Sequence, residues 1–286
     1  MSVRSAILDV VGYYVRFSGG SIGLTPLSEL LGALGIQGDA VRATMTRLRA
    51  EGWFTSAKEG RQVTYSMTPH LYAIVDEGRE RIFSRRSGPW DGEWHMVLFV
   101  VPESKRAVRE SLRKRLSFQG FGSPAPSTWM STTDRRAEVD AMAIDLGIDS
   151  SDDVRLIQMM SRTDSVALDR QIARQCWDLE RLNDGYREWL REWRPRVATQ
   201  RAHAPDGPAA LAELVDLVST FRKFPFDDPD LPGELLPATW HGTAAFAVFH
   251  EGLRALVGAA DRYVTDVTGQ VAERPATMWG TASETA

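Results

Sequence analysis

Residues 38–67 read GDAVRATMTRLRAEGWFTSAKEGRQVTYSM, and the fold turns on this stretch. In its first half Val41, Met45 and Leu48 fall at i, i+4 and i+7, a narrow apolar stripe on a helix from Ala40 to Ala50 that Gly52 closes. Arg42, Thr46 and Arg49 repeat the same spacing on another face, with Arg47 beside them. A helix that enters the major groove needs this division: one side anchors to its domain while guanidiniums and a hydroxyl reach base edges or phosphates. A plain amphipathic helix with a solvated charged face has the same pattern. The second half contains two β-prone runs, Trp53 to Ser56 and Gln62 to Met67, around the turn Ala57-Lys58-Glu59-Gly60-Arg61. A hairpin directly after such a helix reads as a wing, with Lys58, Arg61 and Gln62 at its tip.

Working outward, Ile7, Leu8, Val11, Tyr14 and Val15 predict a first helix over 4–17, broken by Ser18-Gly19-Gly20. Thr25-Pro26 has the form of an N-cap followed by proline at the first helical position, with Glu29 completing a capping box. That second helix carries Leu27, Leu30, Leu31 and Leu34 and stops at Gly35; Asp39 then caps the third. Two short helices joined by a glycine-containing turn are the helix-turn-helix pattern.

The charge is divided unevenly along the chain. Residues 1–89 hold 11 Lys and Arg against 8 Asp and Glu, whereas the whole 286-residue chain is net −4. A basic module on an acidic body suits a nucleic-acid reader joined to a sensing or assembly domain. With 43% hydrophobic and 25% charged residues the chain can bury a sizeable core. One cysteine, Cys176, excludes an internal disulfide framework and a cysteine-rich zinc site, and five scattered histidines make a metalloenzyme a poor reading. Asp9 interrupts the early apolar run, so neither a signal peptide nor a membrane span is expected, and the expected location is the cytoplasm.

Residues 68–89 predict a connecting helix whose Arg79, Arg81, Arg85 and Arg86 offer either phosphate contacts or a solvated face, with a boundary at Ser87-Gly88-Pro89. Beyond it come an apolar strand Met96 to Val101, a basic helix Ser104 to Leu116, and short strands near Gly120-Phe121-Gly122 and Ser127 to Ser131. A helix from Thr133 or Asp134 to Leu146 and a strand Val154 to Met160 complete the order βαββαβ, that of a ferredoxin-like domain. Met159-Met160 is read as core rather than as pocket lining. From Ser165 one long helix is expected to reach Trp193 and end at Pro195, followed by helices over Leu211–Phe221 and Thr243–Val257. The fold class is therefore α+β: a winged helix-turn-helix over 1–88, a ferredoxin-like domain over 89–164 and a helical domain over 165–286.

Several stretches resemble the PaaX family of transcriptional repressors of phenylacetate and related aromatic catabolism. They are Val41-Arg42 with Arg47-Leu48, Glu51-Gly52-Trp53, Gly60-Arg61, Tyr65-Ser66-Met67-Thr68 and Arg81-Ile82-Phe83. Further on come Trp90-Asp91-Gly92-Glu93-Trp94, Gly120-Phe121-Gly122, Cys176-Trp177-Asp178-Leu179 with Tyr186, and the run from Leu231 to Gly242. Their order is more specific than any one of them. The chain departs from the family at Thr239, where aspartate is frequent, and at Gly12-Tyr13-Tyr14, where Gly-Asp-Tyr is. The resemblance implies a central domain similar to CRISPR-associated endonucleases. It also implies a homodimer that leaves a palindromic double-stranded operator when an aryl-CoA thioester, typically phenylacetyl-CoA, binds.

Such a ligand needs an apolar slot for its ring and cations for its phosphates; Arg174, Trp177, Trp240 and His241 are the candidates, against the plainer reading of core tryptophans and solvated arginine. The competing function is a metal-dependent phosphodiesterase or nuclease that uses the N-terminal domain to position nucleic acid. Two-metal chemistry needs clustered carboxylates, and the first strand of the central domain runs out in Val101-Pro102-Glu103 without one at its end. Neither a GxSxG nor a phosphate-binding loop is present, and Cys176 beside Trp177 reads as a buried thiol. No catalytic residue, cofactor or metal is expected.

Overall fold

The computed structural model describes residues 1–85, 89–148 and 153–275. In chain order its elements are α1 (Val3–Tyr13), β1 (Ser21–Gly23), α2 (Leu24–Gly32), α3 (Gly38–Ala50), β2 (Phe54–Glu59), β3 (Gln62–Met67) and α4 (Pro69–Phe83). There follow β4 (Trp94–Val100), α5 (Arg106–Phe118), β5 (Gly122–Ala125), β6 (Thr128–Ser131), α6 (Arg136–Asp145) and β7 (Arg155–Ser161). The remainder is helical: α7 (Val166–Cys176), α8 (Leu179–Ala202), α9 (Gly207–Phe221), α10 (Phe224–Asp227) and α11 (Gly242–Thr268). The chain is thus a mixed helix-and-sheet protein of the α+β class with two small antiparallel sheets. Arg86, Ser87 and Gly88, read above as linker, lie outside the described residues.

Two compact units form, and neither is continuous in sequence. The first comprises residues 1–84, 187–223 and 242 onward; the second comprises 85–186 and 224–241. In the first, α1, α2 and α3 bury Ile7, Val10, Val11, Leu27, Leu30, Leu31, Val41, Met45 and Leu48. Their sheet has the order β1-β3-β2. Helix α9 packs along α11, with Phe221 stacked on Phe249 at 4.1 Å and Phe83 of α4 against the same ring. Asp9 of α1 pairs with Arg222 at the end of α9 at 2.7 Å.

The second unit is built on four antiparallel strands in the order β5-β6-β4-β7, threaded β4-α5-β5-β6-α6-β7. Side chains alternate across the pleat. Val97, Phe99 and Trp129 therefore face α5 and α6 and join Leu112, Leu116, Val139 and Met142 in one core. Trp94 and Met130 lie on the other face, under Ala173 of α7, Leu179, Leu231 and Leu235. The Trp94 indole donates to Asp169 Oδ1 at 2.7 Å, which satisfies a buried carboxylate and ties α7 to the sheet. Gly122 makes that approach possible, since a Cβ there would stand 2.6 Å from the Trp177 ring.

Several local expectations need correction. The first helix ends at Tyr13 and is followed by a separate 3-10 turn, Val15–Phe17. Thr25 is not an N-cap: α2 begins at Leu24 with Gly23 at its N-cap, because Ser21–Gly23 is drawn into β pairing with Thr64–Ser66. Pro26 remains in the first turn, where its missing N–H costs nothing. Gln37 rather than Asp39 precedes α3, and Asp39 instead places charge in the first turn. The helix expected from Ser165 to Trp193 is broken at Trp177, whose backbone is extended as its ring packs on the second core. Asp178 Oδ1 then accepts the Arg181 N–H at 3.1 Å, at the start of α8. Pro195 lies inside α8 rather than ending it. Buried Trp193 and Val197 on either side bind that helix to its unit and offset the lost hydrogen bond. Met159 and Met160 are not core, being 46% and 52% exposed.

Candidate nucleic-acid interface

Helix α3 is held by its apolar stripe: Val41, Met45 and Leu48 are fully buried, whereas Arg42, Thr46, Arg47 and Arg49 are all exposed. Removing three such side chains from water stabilises by about 1.5–3 kcal/mol each, which fixes the helix's rotation about its axis. The four polar side chains are not equivalent. Arg42 has no hydrogen-bond or ion-pair partner among the described residues. Thr46 Oγ1 donates to its own helix at Arg42 O (2.9 Å), which leaves its lone pairs for an incoming donor. Arg47 Nη2 bonds Thr44 Oγ1 at 3.3 Å, and Arg49 Nη1 bonds Ser56 Oγ on β2 at 3.2 Å. Arg49 thus braces the helix against the hairpin, a role that the sequence reading missed. Helical periodicity cannot register a partner on the next strand.

The C-terminal end of α3 is pinned from outside. Arg4 pairs with Glu51 at 2.7 Å and lies over the Trp53 ring at 4.6 Å, so the carboxylate beside the basic face is already neutralised. Thr68 Oγ1 donates to Gly52 O and Trp53 O while capping α4 through the Leu71 N–H. The hairpin runs in register from Phe54↔Met67 to Glu59↔Gln62, with Gly60-Arg61 as a two-residue turn. Gly60 has φ +59°, a conformation that glycine adopts without strain. Lys58, Arg61 and Gln62 are exposed at the tip, but the register puts Lys58 and Gln62 on opposite faces of the ribbon.

Of the arginines after the hairpin, Arg81 lies near Glu77 on α4, and Arg85 is turned into the second unit. Arg85 Nη1 binds Asp228 at 2.6 Å and Asp230 at 3.2 Å, and Nη2 donates to the Tyr186 oxygen at 2.6 Å. Tyr186 donates in turn to Asp228 at 2.7 Å. Burial and the adjacent Asp228 hold the Tyr186 hydroxyl well above its ordinary pKa. Phe224 stacks on the same ring at 4.3 Å and Trp240 meets it edge-on. Arg85 is therefore committed to protein partners and not to phosphates.

The four effector candidates also fall in the second unit. Trp177 and Trp240 are half-buried and pack on the same core, Trp177 stacked with Trp94. His241 is oriented by Asn183, whose Oδ1 accepts the His241 backbone N–H at 2.7 Å and lies 3.0 Å from Nδ1. Arg174 is exposed on the last turn of α7. The two tryptophans are brought together in one cluster and mainly fill it. Burial pushes the Cys176 thiol up to about 12, so it is not a thiolate at neutral pH. At the end of β4, Glu103 is paired with Arg109 at 2.8 Å. Among the described residues no group of three or more His, Cys, Asp or Glu is placed to hold a metal ion, and no helix is long and apolar enough to cross a membrane.

Comparison with known proteins places this geometry in context. Three family models match in succession: "PaaX-like protein" over residues 2–71, "PaaX protein central Cas2-like domain" over 87–168, and "PaaX-like protein C-terminal domain" over 177–266. The chain is 29% identical over 251 residues to the transcriptional repressor PaaX of Escherichia coli (strain K12), an alignment spanning 86% of this chain and 77% of that one. An uncharacterized protein from Mycobacterium tuberculosis, of solved structure, shares the fold with a TM-score of 0.60 at 24% identity, covering 92% of this chain and 98% of its own. Matched in order by all three of its models, from the first helices through the sheet unit to the last helices, the chain belongs to the PaaX family.

Proposed function

We propose that this protein is a DNA-binding transcriptional repressor, not an enzyme, that leaves its operator when a small organic effector binds. The observation that carries the proposal is the division of α3, with Val41, Met45 and Leu48 buried and Arg42, Thr46, Arg47 and Arg49 exposed. The α2–α3 pair followed by the β2–β3 hairpin supports a winged helix-turn-helix within residues 1–88. In this reading α3 enters the major groove, and Lys58, Arg61 and Gln62 make flanking contacts. The strand order β5-β6-β4-β7 supports a ferredoxin-like domain within 89–164, and helices α7 to α11 support reading the chain from 165 onward as a helical domain.

The relative from Escherichia coli is by name a transcriptional repressor, and the family resemblance extends the proposal to control of phenylacetate or related aromatic catabolism. The functional form is a cytoplasmic homodimer on an inverted-repeat operator, with half-sites about one or two helical turns apart. The effector is an aryl-CoA thioester such as phenylacetyl-CoA, with Arg174, Trp177, Trp240 and His241 as contacts. Release requires that the effector bind the DNA-incompetent arrangement more tightly than the competent one.

The test is a gel-shift titration of DNA from upstream of the protein's own gene, with and without phenylacetyl-CoA and other acyl-CoA thioesters. A sequence-specific shift that one thioester reverses is expected. Absence of any specific complex, or cleavage of the DNA in Mg²⁺ or Mn²⁺, would overturn the repressor reading; a complex that no thioester reverses would overturn the effector.

A further inference from the structure

We propose that strand β7 is where two copies of this chain join, the two β7 edges pairing antiparallel about a two-fold axis so that the four-stranded sheets of the two copies run on as one. The inference rests on the homodimeric reading above and supplies the surface that reading leaves open. In the order β5-β6-β4-β7, β7 has β4 on one side and no strand of the described residues on the other. Alternate residues of Arg155–Ser161 therefore point their N–H and C=O groups outward along a free edge.

Sheet edges are ordinarily blunted, and the other edges among the described residues are. Strand β5 is four residues long, carries Pro124 and a register shift, and lies against Cys176 and Trp177 at Gly122. Strand β1 has three residues, and β2 exposes Thr55, Ser56, Lys58 and Glu59. Strand β7 has none of these guards. It runs for seven residues in unbroken register with β4, without proline or lysine, and its Ile157, Met159 and Met160 are 53%, 46% and 52% exposed. Half-buried Met96 and Leu98 and exposed Val100 of β4 continue the face that Ile157 and Met159 present. A contiguous exposed apolar surface on an open edge marks a site of association.

The sequence of the strand selects a second copy as the occupant. Opposed residues of an antiparallel pair share a face, so a two-fold axis normal to the sheet passes through a single residue of β7. With the axis at Gln158, Ile157 meets the partner's Met159 on one face and Leu156 meets the partner's Met160 on the other. Symmetry repeats both contacts. The strand's one charge, Arg155, then opposes the hydroxyl of the partner's Ser161. An axis at Ile157 would set Met159 against the partner's Arg155, and an axis at Met159 would set Gln158 against the partner's Met160. Strand β7 thus complements itself best in one register, as an isologous interface requires.

The experiment measures the mass of the full chain by sedimentation velocity. Ile157→Lys/Met159→Lys sets lysine against lysine at both crossings, and Ile157→Glu/Met159→Glu does the same with glutamate. Both positions are exposed, so the fold of each copy is spared, and thermal melts verify it. The parent is expected to be a dimer, and each double variant to dissociate at least about thirtyfold more readily. An equimolar mixture of the two is expected to be dimeric again, because lysine then meets glutamate at every crossing. Ile144→Lys, on the exposed side of α6, is expected to stay dimeric. Double variants that remain dimers, or that fail to recombine when mixed, would overturn the β7 pairing while the homodimer stands. A parent that is monomeric at the concentrations where it binds DNA would overturn both.

Discussion

Replacing Arg85 by alanine removes the cation that Asp228, 2% exposed, is built around. The guanidinium is itself only 20% exposed, so the pair lies inside the second unit and water cannot substitute for it. Breaking a buried pair by deleting one partner costs about 3–5 kcal/mol, because the remaining charge is left in low dielectric. Here the Tyr186 hydroxyl still donates to Asp228, so the lower figure of about 3 kcal/mol applies. The second unit, 85–186 and 224–241, lies between the sizes for which 1 kcal/mol is worth roughly 4–8 °C and roughly 2–4 °C, so the fall in melting temperature is about 9–15 °C. Urea melts of the parent, Arg85→Ala, Asp228→Asn and the double variant measure the single costs and the coupling between the two side chains. A single-variant cost under about 0.5 kcal/mol, or single costs that simply add in the double variant, would refute the reasoning.

Three further outcomes follow from other places in the fold. Burial, against the opposing pull of Arg222, pushes the Asp9 carboxyl up to about 6 from its ordinary 3.8. Stability from this group is therefore fully present below about pH 4 and lost as pH rises through 6, a change on the order of 3 kcal/mol. Asp9→Asn should flatten that part of the curve of urea midpoint against pH. Gly122→Ala drives a methyl group into Cys176 and the Trp177 ring, and should cost about 1–3 kcal/mol with a shift in tryptophan emission; a neutral melt would show that α7 does not press on β5. Lys58→Ala and Arg61→Ala should each reduce the slope of log affinity against log salt by about 1.8, since a two-fold complex loses a phosphate contact worth about 0.9 in each copy, and an unchanged slope removes that residue from the interface.

The sequence was most legible where local periodicity and burial coincide. Val41, Met45 and Leu48 carry their i, i+4, i+7 spacing directly into a buried stripe, and strands β2 and β3 follow from their β-prone runs and the glycine turn. The caps were less legible. Thr25-Pro26 has every local feature of a helix start, but pairing of Ser21–Gly23 with β3 sets where the chain enters α2, and that partner lies more than forty residues away. The break at Trp177 was hidden for a related reason. Apolar periodicity continues straight through it, and only the core beneath the sheet, where Trp177 stacks on Trp94, shows why the backbone must turn out. Pro195 shows the reverse, a strong local breaker overridden by tertiary packing. Met159 and Met160 looked internal by composition, but β7 is an edge strand that helices cover only in part. Arg85 and Asp228 lie 143 residues apart, and nothing in a single sequence connects them.

The division of α3 is tested most directly by fluorescence anisotropy of labelled operator DNA with Arg47→Ala and Arg42→Ala, each verified as folded and unchanged in oligomeric state. A guanidinium bidentate to a base edge is worth about 1–3 kcal/mol, and a two-fold complex loses it twice. Each variant is therefore expected to bind specific DNA at least 30-fold more weakly, with little change on non-specific DNA. Parent-like affinity in both variants would mean that this exposed basic face does not read DNA.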